Sequence, residues 1–498
     1  MPHFLGLDIG TYDSKGVLTD AEGRIVATAN SPHEMRVPRP GWAEHKPMED
    51  WWEGVVAIMR RLLADSGVAA EDIAGVALSA IGPCMLPCRR DGTPLTDAVL
   101  YGVDTRAAAQ IAALTEGIGA DTILARCGNA LTSQSVGPKI AWLRDERPDI
   151  HAATEIVGSS TTWLTHRLTG EWAIDHYTAA NFAPLYDIAA QDWTADLAPD
   201  IVALDRLPRL MWSTEIAGHV TEAAAAETGL APGTPVTCGT IDAAAEAVSV
   251  GVRHPGDMMV MYGSTIFVIQ LTADRITDPA LWTAPWLWPG EHAAMAGLAT
   301  SGTLTHWFRD RFAQELDRDT AFATLAAEAQ DSPPGARGLL FLPYFSGERT
   351  PIHDPLAKGA LFGLNLTHSR GDIYRAVLEG IAMGTAHVTE TYAAAGETPQ
   401  RILAVGGGVK NALWMQATSD LTGLDQTVCR TTQGASYGDA FLAAVATGHA
   451  GRADIDRWNP AARTVEAARH DAYARQFPLF KRLYTQTRDI AHALGRGA

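Results

Sequence analysis

The chain has 498 residues, too many for one ordinary core, so two large domains are expected. Hydrophobic residues make up 47% and charged residues 19%, which excludes a disordered chain and suits a folded globular enzyme. A formal net charge of −18 argues against nucleic acid and anionic membranes as partners and leaves small molecules.

Met1-Pro2-His3 lacks the basic segment of a secretory signal, and no run of about 18 apolar residues marks a membrane span. The five cysteines are odd in number and fit free thiols in a reducing, cytoplasmic setting. In chain order, the opening FLGLDIGTYDSKGVL reads as a buried strand, Phe4–Asp8, that ends on a carboxylate. A turn rich in small and polar residues follows, with Gly10, Thr11, Ser14 and Lys15. Gly16–Thr19 and Ile25–Ala29 continue the meander, joined at Glu22-Gly23. Pro47 opens a helix with an apolar face through Trp52, Val55, Val56, Met59 and Leu63, and Ile73–Ser79 is a further strand.

In VTCGTIDAAAEAV a strand delivers Gly239-Thr240-Ile241, and Asp242 stands at the mouth of an Ala-rich helix. The main boundary falls near residues 245–255, giving units 1–245 and 246–450 packed around a cleft. Asp257–Leu271 echoes the opening: two apolar strands joined at Gly263-Ser264-Thr265. Ile402–Val405 runs into a triple glycine, and a helix begins at Asn411. The segment 451–498 is helical in pattern. Interleaved strands and helices make this an α/β protein.

The chain has neither GxxxxGK[ST] nor GxGxxG, so two common nucleotide loops are absent. Two facing turns can instead aim backbone N–H groups at phosphates from opposite sides. Gly10-Thr11 with Ser14 and Lys15, and Gly263-Ser264-Thr265, are candidates for such turns. Asp8, at a strand end beside the first turn, is placed to hold Mg²⁺ directly or through water. Asp242 has two readings that stay open on local grounds: a helix cap, or a catalytic base in the cleft.

The stretch GALFGLNLTHSRGDIYRAVLEG, with FLPYFSGERTP upstream, resembles the signature of the FGGY carbohydrate kinases of the actin-like superfamily. The segments WAEHKPMEDWW, YGST, GGGVKN and GASYGDAFLAA occur in that family's order, and the xylulokinase-like members are most similar. The resemblance implies an α/β fold of two actin-like (ribonuclease H-like) domains flanking an ATP/sugar cleft. It also implies transfer of the γ-phosphoryl of ATP, with Mg²⁺, to a hydroxyl of a small ketose. Another polyol or ketose, or a nucleotide-gated sensor or chaperone-like ATPase, are the alternatives, and a homodimer is compatible with it. By resemblance Asp8 is the metal-associated Asp; Gly10, Thr11 and Lys15 form the first phosphate turn; and Gly263, Ser264 and Thr265 form the second. Gly407, Gly408 and Asn411 lie beside the nucleoside, with Gly434 and Gly438 near it. Asp242 matches the catalytic base, and Ala80, Ile81, Gly82 and Asp104 line the sugar site. This chain has Ser79-Ala80-Ile81-Gly82 where xylulokinases usually carry Gln-Met-His-Gly, and Ala243 where Asn usually follows the base. A polar and an imidazole contact are thereby lost, which bears on sugar identity.

Overall fold

The computed structural model describes residues 1–496. Strand β1 (His3–Ile9) pairs antiparallel with β2 (Asp13–Asp20), which pairs with β3 (Ile25–Pro32). A π-helical turn, Pro47–Trp52, precedes helix α1 (Glu53–Ser66), a wider start than Pro47 alone predicts. Val55, Ile58, Met59 and Leu62 of α1 are buried at helical spacing, and Gly67 ends the helix in the left-handed region. Strand β4 (Ile73–Ala80) lies parallel to β1. With β5 (Ile216–His219), β6 (Pro235–Thr237) and the short β7 (Thr240–Ile241) it completes a seven-stranded sheet ordered β5-β6-β4-β1-β2-β3, β7 pairing β4. Helix α2 (Asp242–Ser249) follows directly.

The second half repeats the pattern. Strands β8 (Asp257–Tyr262) and β9 (Ile266–Thr272) form the expected hairpin. They are followed by β10 (Trp282–Pro285), β11 (His292–Leu298), helix α3 (Gly302–Phe312) and the long helix α4 (Arg370–Ala394). Helix α4 starts on a capping box between Ser369 and Asp372. Strand β12 (Arg401–Val405) adds parallel to β8, as β4 adds to β1. Helix α5 (Ala412–Thr422), strand β13 (Gln426–Cys429) and helix α6 (Ala435–Ala446) come next. The segment after residue 450, expected to be helical, first contributes β14 (Ala461–Val465), which pairs with β13, and then helix α7 (Asp471–Arg496). The second sheet is also seven-stranded, β10-β11-β9-β8-β12-β13-β14.

The halves are joined by two helices as well as by the chain. Helix α6 leaves the second sheet and lies on β1 and β4 of the first, beside α2. The approach is close enough to require glycine. A Cβ on Gly438 would sit 1.9 Å from the Ala245 carbonyl, and one on Gly6 would sit 1.9 Å from the Ser436 carbonyl. One hydrophobic core backs each sheet, and a third runs between the halves through Tyr177, Trp286, Tyr437 and Trp458.

Candidate active site

The cleft holds two cavities. One, of 410 Å³, is lined by Asp8, Gly10, Lys15, Asp242, Glu246 and Thr265 among others. The other, of 680 Å³, is lined by Gly263, Ser264, Gly407, Gly408, Asn411 and Trp414 among others. The Gly263-Ser264-Thr265 turn therefore stands between them and faces both.

The two turns share one construction. In the second, the Gly263 carbonyl accepts from the Gly302 N–H, and the Ser264 carbonyl accepts from the Ser301 and Thr303 N–H groups. The Thr265 carbonyl accepts from the Gly263 N–H at 3.1 Å. All three carbonyls are thus turned inward, while among the described residues the Ser264 and Thr265 N–H groups donate to nothing. In the first turn the Gly10 N–H donates to the Asp13 carbonyl at 2.8 Å, and the N–H groups of Thr11 and Tyr12 have no acceptor among the described residues. Two turns with backbone donors free of protein acceptors, one from each half and both beside one cleft, form an arrangement suited to an anion.

Three carboxylates line the first cavity. Asp8 is half-buried, and its Oδ1, shielded from solvent, has no hydrogen-bond partner among the described residues. Burial, then the charge of Asp242, holds its carboxyl well above the usual range, against the pull of Lys15. Burial likewise raises Asp242, opposed by the Ala243 N–H. Glu246 is pushed up to about 7 by burial and by the charge of Asp8. Such a set favours a bound cation, which would restore all three to the ionised state. Among the described residues no group of three or more His, Cys, Asp or Glu side chains has metal-holding geometry. Asp8, whose Oδ1 has no partner among the described residues, is the carboxylate of the three most open to a cation.

Asp242 is not the helix cap. The capping position of α2 is Ile241, and the Asp242 carboxylate accepts only the N–H of the next residue, Ala243, at 2.7 Å. A capping side chain would reach two or three residues on. The carboxylate instead faces the cavity.

Other expected site residues lie as follows. Ile81 and Gly82 line the first cavity, but Ala80 is fully buried in the sheet between Ile9 and Ile241. Thr11 reaches the cavity wall through a 3.1 Å hydrogen bond between its hydroxyl and that of Tyr101. Lys15 lines the cavity, 3.3 Å from Asp13. Gly407, Gly408 and Asn411 line the second cavity, where Asn411 also caps α5 by accepting from the Trp414 N–H at 3.1 Å.

Besides Ala80, three expectations need correction. The Ser14 hydroxyl is buried away from the cavity, because side chains alternate along β2 and Lys15 takes the cleft side. Asp104 does not reach the first cavity: it is buried, accepts the Ala43 N–H at 2.7 Å and pairs with Arg106 at 2.7 Å. Gly438 serves the α2–α6 packing and not a nucleotide. Gly434 keeps its expected place, lining a small cavity with Gly406 and Val409, and its φ of +71° lets α6 begin where a Cβ would meet the Glu246 carboxylate at 2.5 Å.

The sequence reading missed several lining residues: Gln134, Tyr177, Asn181, Glu246, Trp282 and Arg349. Glu246 had a signal, since a position four residues after Asp242 shares its helix face.

Comparison with known proteins follows this geometry. The model of the FGGY family of carbohydrate kinases, N-terminal domain, matches residues 3–249, and that of its C-terminal domain matches residues 258–447. The chain is 28% identical to a xylulose kinase of Bacillus subtilis, over 99% of each protein. It is 30% identical to a glycerol kinase of Citrifermentans bemidjiense, over 90% of this chain and 91% of that protein. The solved structure of xylulose kinase from Rhodospirillum rubrum superposes with a TM-score of 0.92 at 30% identity, covering 98% of this chain and all of that one.

Proposed function

The chain belongs to the FGGY family of carbohydrate kinases, and we propose that it transfers the γ-phosphoryl of ATP to a hydroxyl of a small ketose, as a xylulokinase-like enzyme. One observation carries the reading: two turns with unpaired N–H groups flank a cavity into which the Asp242 carboxylate projects. The nucleoside would occupy the cavity beside Gly407, Gly408 and Asn411, and the sugar the cavity beside Ile81 and Gly82. The phosphates would cross between the two turns, the second of which faces both spaces.

Phosphoryl transfer needs mainly positioning and charge stabilisation. The N–H groups of Thr11, Tyr12, Ser264 and Thr265 would hold the phosphate oxygens, with Lys15 at their edge. Asp8 would hold Mg²⁺, which when bound supplies positive charge against the β- and γ-phosphates. Asp242 would accept the proton of the attacking hydroxyl through the oxygen not held by Ala243. Tyr101, Gln134 and Asn181 would orient the sugar, and approach of the halves would exclude water. The two jaws are the units 1–245 and 246–450, with 451–498 an extension of the second. The same reading takes the enzyme to act in the cytoplasm on small molecules, without nucleic acid or membrane, and allows a homodimer. No helix among the described residues is long and apolar enough to cross a membrane.

The test is a coupled ADP assay over a panel of ketoses and polyols. ADP release that depends on an added sugar is expected. Sugar-independent hydrolysis, or none, overturns the kinase reading in favour of a sensor or chaperone-like ATPase.

A further inference from the structure

We propose that His33 and His45 act as a pair of positioning residues that set the first phosphate turn, by holding the Gly10 and Thr11 carbonyls away from the nucleotide. This rests on the kinase reading and assigns to residues outside the turn the job of shaping it.

The geometry is specific. The His33 Nε2 lies 3.0 Å from the Gly10 carbonyl oxygen. The His45 Nε2 lies 3.1 Å from the Thr11 carbonyl oxygen. A carbonyl can only accept, so each Nε2 carries the proton and donates. For His45 the tautomer is fixed a second time. The Trp51 indole, a donor only, gives its N–H to His45 Nδ1 at 2.9 Å. His45 is therefore neutral, with its single N–H aimed at the turn. The two rings meet edge to face with centroids 5.0 Å apart, so each fixes the other's tilt. The His33 backbone N–H adds a third tie, to the Tyr12 carbonyl at 2.9 Å.

Three successive carbonyls, of Gly10, Thr11 and Tyr12, are thus drawn to one side. Peptide planes are rigid, so an N–H points opposite to the carbonyl of its own peptide unit. Pulling the Gly10 and Thr11 carbonyls back turns the N–H groups of Thr11 and Tyr12 outward, and these are the two without an acceptor. In the second turn Ser301, Gly302 and Thr303, at the start of α3, do the same for the Gly263 and Ser264 carbonyls. The two halves reach one arrangement by different means, a helix start in one and an imidazole pair in the other. From sequence, WAEHKPMEDWW shows its place in the family's order and a helix start at Pro47, with no role for His45 or Trp51. Here its His45 and Trp51 acquire a role, and the π-helical turn Pro47–Trp52 is the element that carries Trp51 inward.

The test separates phosphate binding from the rest of the nucleotide. Binding of ATP and of adenosine is measured by calorimetry for the parent, His45→Leu, His45→Gln and His33→Leu. Each Leu variant should lose about three- to tenfold in ATP affinity, the range of one hydrogen bond, with adenosine affinity unchanged. His45→Gln, whose amide can still donate to the Thr11 carbonyl, should recover most of the loss. His33 is only half-buried, so His33→Leu decides the matter should His45→Leu fail to fold. Unchanged ATP affinity in the folded Leu variants overturns the proposal, as does an equal loss for adenosine. Sugar-dependent ADP release by the parent is scored separately, so failure of the kinase reading is distinguishable from failure of the histidine pair.

Discussion

Asn129 and Thr283 pair across the cleft like two residues of a β-ladder. The Asn129 side-chain amide donates to the Thr283 carbonyl at 2.8 Å, and its oxygen accepts the Thr283 N–H at 2.8 Å. Thr283 lies on β10, the edge strand of the second sheet, so a side chain of the first half satisfies an otherwise open edge. Gly128, with φ +79°, permits the approach: a Cβ there would come within 2.6 Å of the Thr283 methyl. Trp282, next to Thr283, and Gln134, a few residues past Asn129, both line the sugar cavity.

This clasp should hold the sugar cavity closed. Asn129→Ala removes both hydrogen bonds and should raise the KM for sugar about fivefold, at roughly 1 kcal/mol net for the pair. Water should then reach the phosphates more readily, so sugar-independent ADP release should rise relative to sugar-dependent release. A parental ratio of the two rates in a folded Asn129→Ala protein would remove the clasp from the closing motion.

The second prediction concerns the sugar. Ile81 and Ala243 both line the cavity, beside Ile241, Met261, Phe267 and Met295, so the wall is apolar where xylulokinases usually place His and Asn. Each missing partner leaves a sugar hydroxyl unpaired in a dry site, at about 1–3 kcal/mol. D-xylulose should therefore not be the best substrate. In the Ile81→His, Ala243→Asn double variant its kcat/KM should rise at least about tenfold, the return for one such partner. A parent that prefers D-xylulose to every other ketose and polyol tested would refute this.

Much of the frame was legible because hydrophobic period and turn chemistry are local. The β1–β2 and β8–β9 hairpins, their Gly- and hydroxyl-bearing turns and the strand before the triple glycine all stand where patterning places them. What failed was direction and distance. Ser14 and Lys15 are adjacent, so only one can face the cleft, and motif matching does not say which. Asp104 is claimed by Arg106 two residues later and by a backbone N–H 61 residues earlier, a demand invisible in the motif. Gly438 looks like a nucleotide glycine, yet the need it meets is set by α2, nearly 200 residues away. Gln134, Tyr177, Asn181 and Arg349 come from separate segments that only the closed cleft brings together.

The third prediction is acid sensitivity centred on His45. Burial lowers its pKa to about 4, the nearby His33 adds to the effect, and Asp50, the Thr11 carbonyl and Arg36 modify it. The folded pKa lies below the unfolded one, so the neutral imidazole stabilises the fold fully above about pH 6.5. That contribution is lost progressively as pH falls from about 6.5 towards 4, and below this it changes no further. His45→Gln, which does not titrate, should show a shallower fall in melting temperature over that window. Identical slopes for parent and variant would show that other groups set the acid limit.

The last prediction returns to Asp242. With Ile241 at the capping position, Asp242→Asn removes no helix cap, and Asn can still accept the Ala243 N–H. The variant should fold as the parent does. A buried carboxyl held above its ordinary pKa lowers stability as pH rises through neutrality, so the melting temperature of the nucleotide-free variant should be equal or higher at pH 8. Turnover is a different matter, because Asn accepts no proton from the attacking hydroxyl. The loss should be on the order of 10²–10⁴ in kcat, towards the lower end if the transition state is loose. Affinity for ATP should change little, since the two turns and Lys15 hold the phosphates. The pH profile supplies the signature that a structural role would not produce. Parental kcat should fall as acid protonates the base, and the variant's residual rate should lack that limb. Near-parental turnover from a folded Asp242→Asn protein would leave the site without its base.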